Sequence, residues 1–435
     1  MMRTEIINTQ VVTMDQQRQI YQEGYIRIAQ GEIVGVGPMT EYVPKQGFEV
    51  EDGTGRIVIP GMINTHTHLG LSALRSLGED IPDRLRDFLF PAEMAFMTPE
   101  LTVKASLFSA VESLKAGVTT VADMYYFTDE VAKALDNVKI RAFCGQTIME
   151  ENACDRLSEE QAIQESVSLI EKWHDHPLIS IMLAPHSTIT VTEESLKKVS
   201  DIAKQKQVKW MMHISEMDYE VQHFQNKYNC TPIAYLDKIG ALNEYLISVH
   251  SIFAQGEDFE LLARKKVTVA HCLLANMKSG KGIMDLKSMQ QAQVVVGLGT
   301  DGPVSGNTLD LFSLMKFLPM AHKTNQQDRA YLTAQEVFEL ATIGGAKVLG
   351  IDNQVGSLEI GKRADLVVLN PNTFNMSPVY DVYAAIVYGA QPHNVQDVMI
   401  DGTWVLKNQQ CLTVDEQTIF QDLLTALHPI RDHFQ

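Results

Sequence analysis

Pro60-Gly61-Met62-Ile63-Asn64-Thr65-His66-Thr67-His68 is the stretch whose reading decides the fold. It continues an apolar run, Val58 to Ile63, interrupted only by Pro60-Gly61, and such a run reads as a short strand buried on both faces. Residues two apart in a strand point to the same side. His66 and His68 therefore project together from the strand's end, and Thr67 turns away. Two converging imidazoles form half of a metal site, because neutral imidazole is the commonest protein ligand for metals.

Past His68 the chain alternates helix and strand. Thr98 reads as an N-cap with Pro99 at the first helical position, and Leu101, Ala105, Leu107, Val111 and Leu114 follow at roughly helical spacing until Gly117. Apolar runs then recur at Thr119–Asp123, Ile140–Cys144, Ile179–Ala184, Val208–His213, Leu246–His250, Val267–His271 and Val294–Gly299. With Ile57–Asn64 they make eight strands, mostly separated by helical segments. Repeated βα units imply parallel strands, and eight of them predict a closed (β/α)8 TIM barrel of the α/β class.

In front of this unit lie short β-rich runs, Thr4–Ile7, Val11–Met14, Tyr25–Ala29, Ile33–Val36 and Ile57–Ile59, punctuated by glycines. They are too few to bury a core alone. Matching runs stand near the other end, at Ala364–Leu369, Asp397–Ile400 and Thr403–Leu406, with a turn at Asp401-Gly402. The expected organisation is a small β-sandwich domain built from both termini (1–59 plus 355–435) around a barrel (60–354).

Active sites of such barrels sit at the C-terminal ends of the strands. Six of the chain's 13 histidines fall there: His66 and His68 on strand one, His186 on strand four, His213 on five, His250 on six and His271 on seven. Strand eight ends at Asp301. His66, His68, His213 and Asp301 offer three imidazoles and a carboxylate to one divalent ion, the donor set of a hydrolytic site with an open position for water. Asp301 is expected to take the water's proton. Glu216, just past strand five, is placed to shuttle a proton to a ring nitrogen, and His250 to orient the water or polarise the substrate. His271 is read as a hydrogen-bonding neighbour and not a ligand. His174, His176, His223, His322, His393, His428 and His433 read as surface or helix residues.

Bulk properties narrow the class. The 435 residues are 45% apolar and 21% charged, ordinary for a globular chain with a large core. The net charge of −18, with no basic stretch, would repel a polyanion, so a small-molecule substrate is expected and nucleic acid is not. Five dispersed cysteines (Cys144, Cys154, Cys230, Cys272, Cys411) without a Cys-x-x-Cys suit a reducing compartment. The opening Met1-Met2-Arg3-Thr4-Glu5-Ile6-Ile7-Asn8 has no apolar core of signal-peptide length, and no run approaches a membrane span. A cytoplasmic protein is expected.

These stretches together resemble the amidohydrolase superfamily, and more narrowly its deaminases of 5′-methylthioadenosine and S-adenosylhomocysteine, close to the triazine chlorohydrolases. The resemblance is carried by the stretch from Pro60 to His68, Gly117-Val118-Thr119-Thr120-Val121-Ala122-Asp123-Met124, His213-Ile214-Ser215-Glu216, Gly297-Leu298-Gly299-Thr300-Asp301-Gly302 and Gly356-Ser357-Leu358-Glu359-Ile360-Gly361-Lys362-Arg363-Ala364-Asp365-Leu366. It implies one ion, usually zinc and sometimes iron, on His66, His68, His213 and Asp301. No lysine ends strand four, where two-metal relatives carry a bridging one.

The resemblance also implies substrate contacts. They fall on Glu93 (in Pro91-Ala92-Glu93, accepting ribose hydroxyls), Arg156, His186, Glu216 and Ser305. Two departures stand out. Ala270-His271-Cys272-Leu273-Leu274-Ala275-Asn276 keeps only Ala270, His271 and Asn276 of the family stretch, and Leu85 or Phe88 stands near where the family carries a tryptophan, with Phe88 offering a ring for a purine to stack on. The implied reaction is hydrolytic deamination of an adenosine-type compound with release of ammonia. The alternative is attack on another aromatic ring carbon, in a purine or pterin base or a chlorotriazine. Homo-oligomers are common among similar proteins and are expected here.

Overall fold

The computed structural model describes residues 3–434; Met1 and Met2 of the opening stretch, and Gln435, lie outside them. Eight parallel strands form one sheet in chain order: β1 Met62–Thr67, β2 Val118–Tyr125, β3 Arg141–Ile148, β4 Ile179–Pro185, β5 Trp210–Ile214, β6 Leu246–His250, β7 Thr268–His271 and β8 Val296–Leu298. Every residue of β1, β2, β3 and β5 is buried, as helices covering a parallel sheet require. The last strand returns to the first. Thr300 N donates to Asn64 Oδ1 at 3.0 Å, Asn64 Nδ2 to Thr300 Oγ1 at 2.7 Å, and Asp301 N to His66 O at 3.1 Å. The helix Pro99–Lys115 starts at Thr98, whose side chain accepts from Leu101 N, and its C-cap Ala116 leads into Gly117 (φ +74°).

The run read as one strand, Ile57–Asn64, is two. Ile57–Pro60 pairs with Leu366–Leu369 and with Gln10-Val11 of the terminal sheet, and only Met62 onward enters the barrel. Gly61 makes the transfer, because a Cβ there would lie 2.0 Å from Thr119 Oγ1. Both strands are fully buried, so hydrophobicity carries no mark of the change of sheet.

The terminal strands form one nine-stranded sheet. Its order is Gln410–Cys411, Thr403–Lys407, Val395–Ile400, Leu366–Leu369, Ile57–Pro60, Arg3–Val12, Ile20–Ala29, Glu32–Pro38, with Glu49–Asp52 pairing beside Arg3–Val12. The two expected runs Thr4–Ile7 and Val11–Met14 belong to a single strand, irregular in register between Ile6 and Val11. The sheet curls. Ile26, Ile28 and Ile33 from one half share an apolar cluster with Leu366, Met399 and Trp404 from the other, and the turns at Gly31 and Gly402 touch. Arg141 on β3 reaches across to Asp365 with Nε at 2.8 Å and Nη2 at 3.0 Å from its two oxygens, both side chains buried. The final helices, Glu416–Ala426 and His428–Phe434, pack elsewhere: Leu423 and Ile430 join a cluster with Leu71, Phe88 and Ala105 above the barrel mouth.

Candidate metal and substrate site

The alternation of β1 sends His66 and His68 into the barrel mouth with their ring centroids 4.7 Å apart. His213, from β5, meets them, its Nε2 3.3 Å from His66 Nε2. One ligand atom from each of the three lies within 4.8 Å of the other two. Asp301 follows β8 in a left-handed conformation (φ +60°) and sets Oδ1 3.3 Å from His68 Nε2 and 3.6 Å from His66 Nε2.

The outer nitrogens are fixed. His68 Nδ1 lies 2.6 Å from Met124 O and His213 Nδ1 2.7 Å from His186 O. A carbonyl only accepts, so in each ring Nδ1 carries a hydrogen and Nε2 is the atom turned to the centre of the cluster. Asp123, at the end of β2, takes the Leu69 amide at 2.7 Å and so holds the chain just after His68.

The electrostatics match a cation at this point. Burial pushes His66 down to about 4 and His213 well below the ordinary imidazole value, so both are neutral. Burial acts the same way on His68, but the Asp301 carboxylate outweighs it and raises His68 to about 9. Burial would raise Asp301; His66 and His68 instead hold it well below the usual carboxylate range. One carboxylate among three imidazoles thus calls for positive charge, and three nitrogens with one oxygen are a donor set suited to a zinc-type ion.

His250 closes the group from β6. Its ring stacks on His213 at 5.4 Å, its Nδ1 lies 2.8 Å from Asn276 Oδ1, and its φ is +68°. Non-glycine residues in this region are uncommon and collect at functional sites; both His250 and Asp301 adopt it. Glu216 lies with Oε1 3.5 Å from His250 Nε2, and its main-chain N donates to Glu220 Oε2 at 2.9 Å. Burial alone would raise the Glu216 carboxyl, yet His250 and Lys281 bring it down to about 2. His186, pushed down to about 4 by burial, turns Nδ1 to Thr190 Oγ1 at 2.9 Å.

A cavity of about 370 Å³ opens onto this group, lined by His68, His186, His213, Glu216, His250, Asp301 and Ser305. The other expected substrate contacts divide. Glu93 is buried on the helix Phe90–Phe96, accepts from Tyr125 OH at 2.7 Å, and is pushed by burial up to about 7. It lines a smaller adjoining cavity of about 50 Å³ that shares His68, Leu85, Leu89 and His186 with the larger one. Arg156 is exposed in a left-handed turn (φ +61°) and lines neither cavity. Phe88 packs under Gly78 and 5.4 Å from the Phe434 ring, so it offers no stacking surface to the larger cavity; Leu85 does line it. His271 pairs with His322, Nε2 to Nε2 at 3.0 Å; His322 is on a helix, Leu311–Gln326, within the expected surface-or-helix reading, and its ring is buried.

Five residues in and around the cavity wall escaped the sequence reading as functional groups. Lys281 contacts Glu216, and Glu79 ties together Arg84, Lys278 and Asn307. A lysine between two glycines, Gly280-Lys281-Gly282, was the one signal for the first.

A closed parallel barrel with three imidazoles and a carboxylate at its C-terminal mouth defines a metal-dependent hydrolase architecture. The amidohydrolase family pattern matches residues 57–405, and the chain belongs to that family. It is 31% identical to a 5-methylthioadenosine/S-adenosylhomocysteine deaminase of Thermodesulfovibrio yellowstonii, over 99% of each chain. It is likewise 31% identical to a 5′-deoxyadenosine deaminase of Methanobrevibacter smithii, over 94% of each. The crystal structure of an adenosine deaminase from Xanthomonas campestris with bound zinc superposes with a TM-score of 0.94 at 29% identity, covering 99% of this chain and 98% of that one. No helix among the described residues is long and apolar enough to cross a membrane.

Proposed function

We propose that the protein is a hydrolytic deaminase of an adenosine-type compound, such as 5′-methylthioadenosine, S-adenosylhomocysteine or adenosine, using one divalent ion held by His66, His68, His213 and Asp301. Zinc suits that donor set best, and ferrous iron would also fit it. The observation that carries the proposal is the placing of Glu216 and His250, 3.5 Å apart, on the same cavity as the histidine cluster.

The ion, when bound, acidifies a water molecule and so supplies a nucleophile at neutral pH. The protein's own groups do the rest. Asp301 and His250 flank the attacking water and orient it toward the amino-bearing carbon. One of the water's two protons is carried by Glu216, held as a carboxylate, to the ring nitrogen beside that carbon and stays there; the other is taken by Asp301 and reaches the departing amine through Glu216. Water and the amine thereby become a ring carbonyl and ammonia. Ser305 and His186 line the cavity where the ring would sit. The unpaired cysteines and the acidic surface suit work on a small molecule in a reducing cytoplasm.

A second reading, a base or chlorotriazine in place of a nucleoside, draws support from one feature. Glu93, the expected ribose contact, faces the smaller cavity behind Leu85 and Leu89, and Arg156 stands outside. Ammonia release from 5′-methylthioadenosine, S-adenosylhomocysteine, 5′-deoxyadenosine, adenosine and guanine, with chloride release from a chlorotriazine, separates the two. Turnover of the nucleosides at the highest kcat/KM is expected. Turnover of only the free base or the triazine replaces the proposal with its alternative.

A further inference from the structure

The connection after β7 delivers a charged group to Glu216 that the steps above leave without a task. The helix Leu273–Lys278 carries Asn276, which accepts from His250 through its side chain and from the Lys281 main-chain N, at 3.0 Å, through its carbonyl. Gly280 (φ +66°) and Gly282 (φ +126°) turn the chain on either side, and the second value belongs to glycine. Lys281 is thereby aimed inward. Its ammonium bonds Glu216 Oε1 and lines the large cavity.

Two features of this pair point to a ligand. An ammonium has three donors, and among the described residues Glu216 is the one partner Lys281 has. His250 also approaches Glu216 on Oε1, so Oε2 has no described protein partner. Burial pushes the Lys281 ammonium down, and the Glu216 carboxylate more than restores it, so the donor stays charged. The cavity therefore presents a carboxylate and an ammonium side by side. The matching substrate edge is a ring nitrogen that takes a proton, followed two atoms further round, past one carbon, by an acceptor.

We infer that Lys281 determines specificity by donating to that second acceptor: N3 of an adenine whose N1 is served by Glu216, or the carbonyl oxygen of an equivalent pyrimidinone. The substrate class is then six-membered rings with a nitrogen–carbon–acceptor edge beside the attacked carbon. The inference rests on the adenosine-type reading and adds which edge of the base is read.

The test compares 5′-methylthioadenosine with its 3-deaza analogue, which has a C–H where N3 stands, in wild type, Lys281→Met and Lys281→Arg, all loaded with zinc. Taking each ratio across variants cancels the intrinsic reactivity of the two rings. Lys281→Met should cut kcat/KM for methylthioadenosine by about 10- to 100-fold more than for the 3-deaza compound, the range for a hydrogen bond from a charged donor, because any loss that acts through Glu216 falls on both substrates alike. Lys281→Arg, which keeps a charged donor, should restore most of the preference for N3. Equal losses on both compounds in Lys281→Met would overturn the inference and leave Lys281 as a support for Glu216 alone. Equal losses in Lys281→Arg, with zinc content unchanged, would also overturn it. A wild type that releases ammonia from neither compound overturns the adenosine-type reading and the inference with it.

Discussion

The two sides of the cavity are built on different principles. The metal-facing side comes from strand ends, and its rings are locked by main-chain carbonyls: Met124 O holds His68 and His186 O holds His213. The facing wall comes from connections and is held by charged side chains that pair with one another and with loop carbonyls. There Glu79 accepts from Lys278 and Asn307, with Arg84 at 3.3 Å, while Arg84 donates to Val304 O at 2.6 Å. A carbonyl in a barrel ladder cannot be mutated away, whereas an ion pair between loops can. The comparison teaches where each kind of change acts: substitutions on the strand side should abolish chemistry, and those on the wall should re-weight which substrate enters.

The largest effect is expected at the cluster itself. His213→Ala removes one of the four proposed ligands, the one that β5 contributes, so metal analysis of the purified variant should show the divalent ion bound far more weakly and turnover gone. A variant that keeps stoichiometric metal and full activity would break the comparison. Glu216→Gln comes next. It keeps the shape but cannot carry the proton, so kcat should fall about 10²–10⁴-fold while metal content is unchanged. Steady-state rates and metal analysis on the same sample separate these two outcomes.

The same division explains what was legible in the sequence. His66 and His68 follow from a period of two, and His213, His250 and Asp301 follow from the rule that barrel chemistry sits at strand ends; each depends only on local pattern and strand order. The wall depends on partners far apart in the chain. Lys281 and Glu216 are 65 positions apart, and Glu79 and Asn307 are 228 apart, so no spacing marks them. Phe88 and His322 show a second limit. Hydrophobic or helical context says that a side chain is buried without saying against what, and Phe88 turned out to face Gly78 and Phe434. The break at Gly61 is a third case, because two buried strands in different sheets present one continuous apolar run.

Glu93 lies on the boundary between the two sides, and pH exposes it. Burial raises its carboxyl to about 7 from an ordinary 4.5, so the folded protein binds a proton there that the unfolded chain has released. The stabilisation is fully present below about pH 4.5 and is lost as pH rises through 7. Over that window wild type should lose stability relative to Glu93→Gln by something on the order of 3 kcal/mol. Paired urea titrations at pH 5 and pH 8 check it, and a constant difference between the two proteins would mean that Glu93 is ionised in the fold.

The smallest effect belongs to the wall's own clasp. Glu79 is about a quarter exposed, so each of its ion pairs is screened by solvent and modest. Burial pulls the Glu79 carboxyl upward, but Lys278, Asn307 and Arg84 hold it below the ordinary carboxylate value, so it is an anion throughout the neutral range. Glu79→Gln keeps the hydrogen bond from Asn307 in reach and removes the charge that draws Arg84 and Lys278 together. The segment from Glu79 to Leu85, which lines the cavity opposite the histidines, should then close less readily over a substrate. KM is expected to rise about two- to five-fold, as for a screened pair, with kcat unchanged, because nothing on the strand side has moved. A fall in kcat with KM constant would put Glu79 among the groups that act on the transition state, and the division between a chemical side and a selecting side would have to be given up.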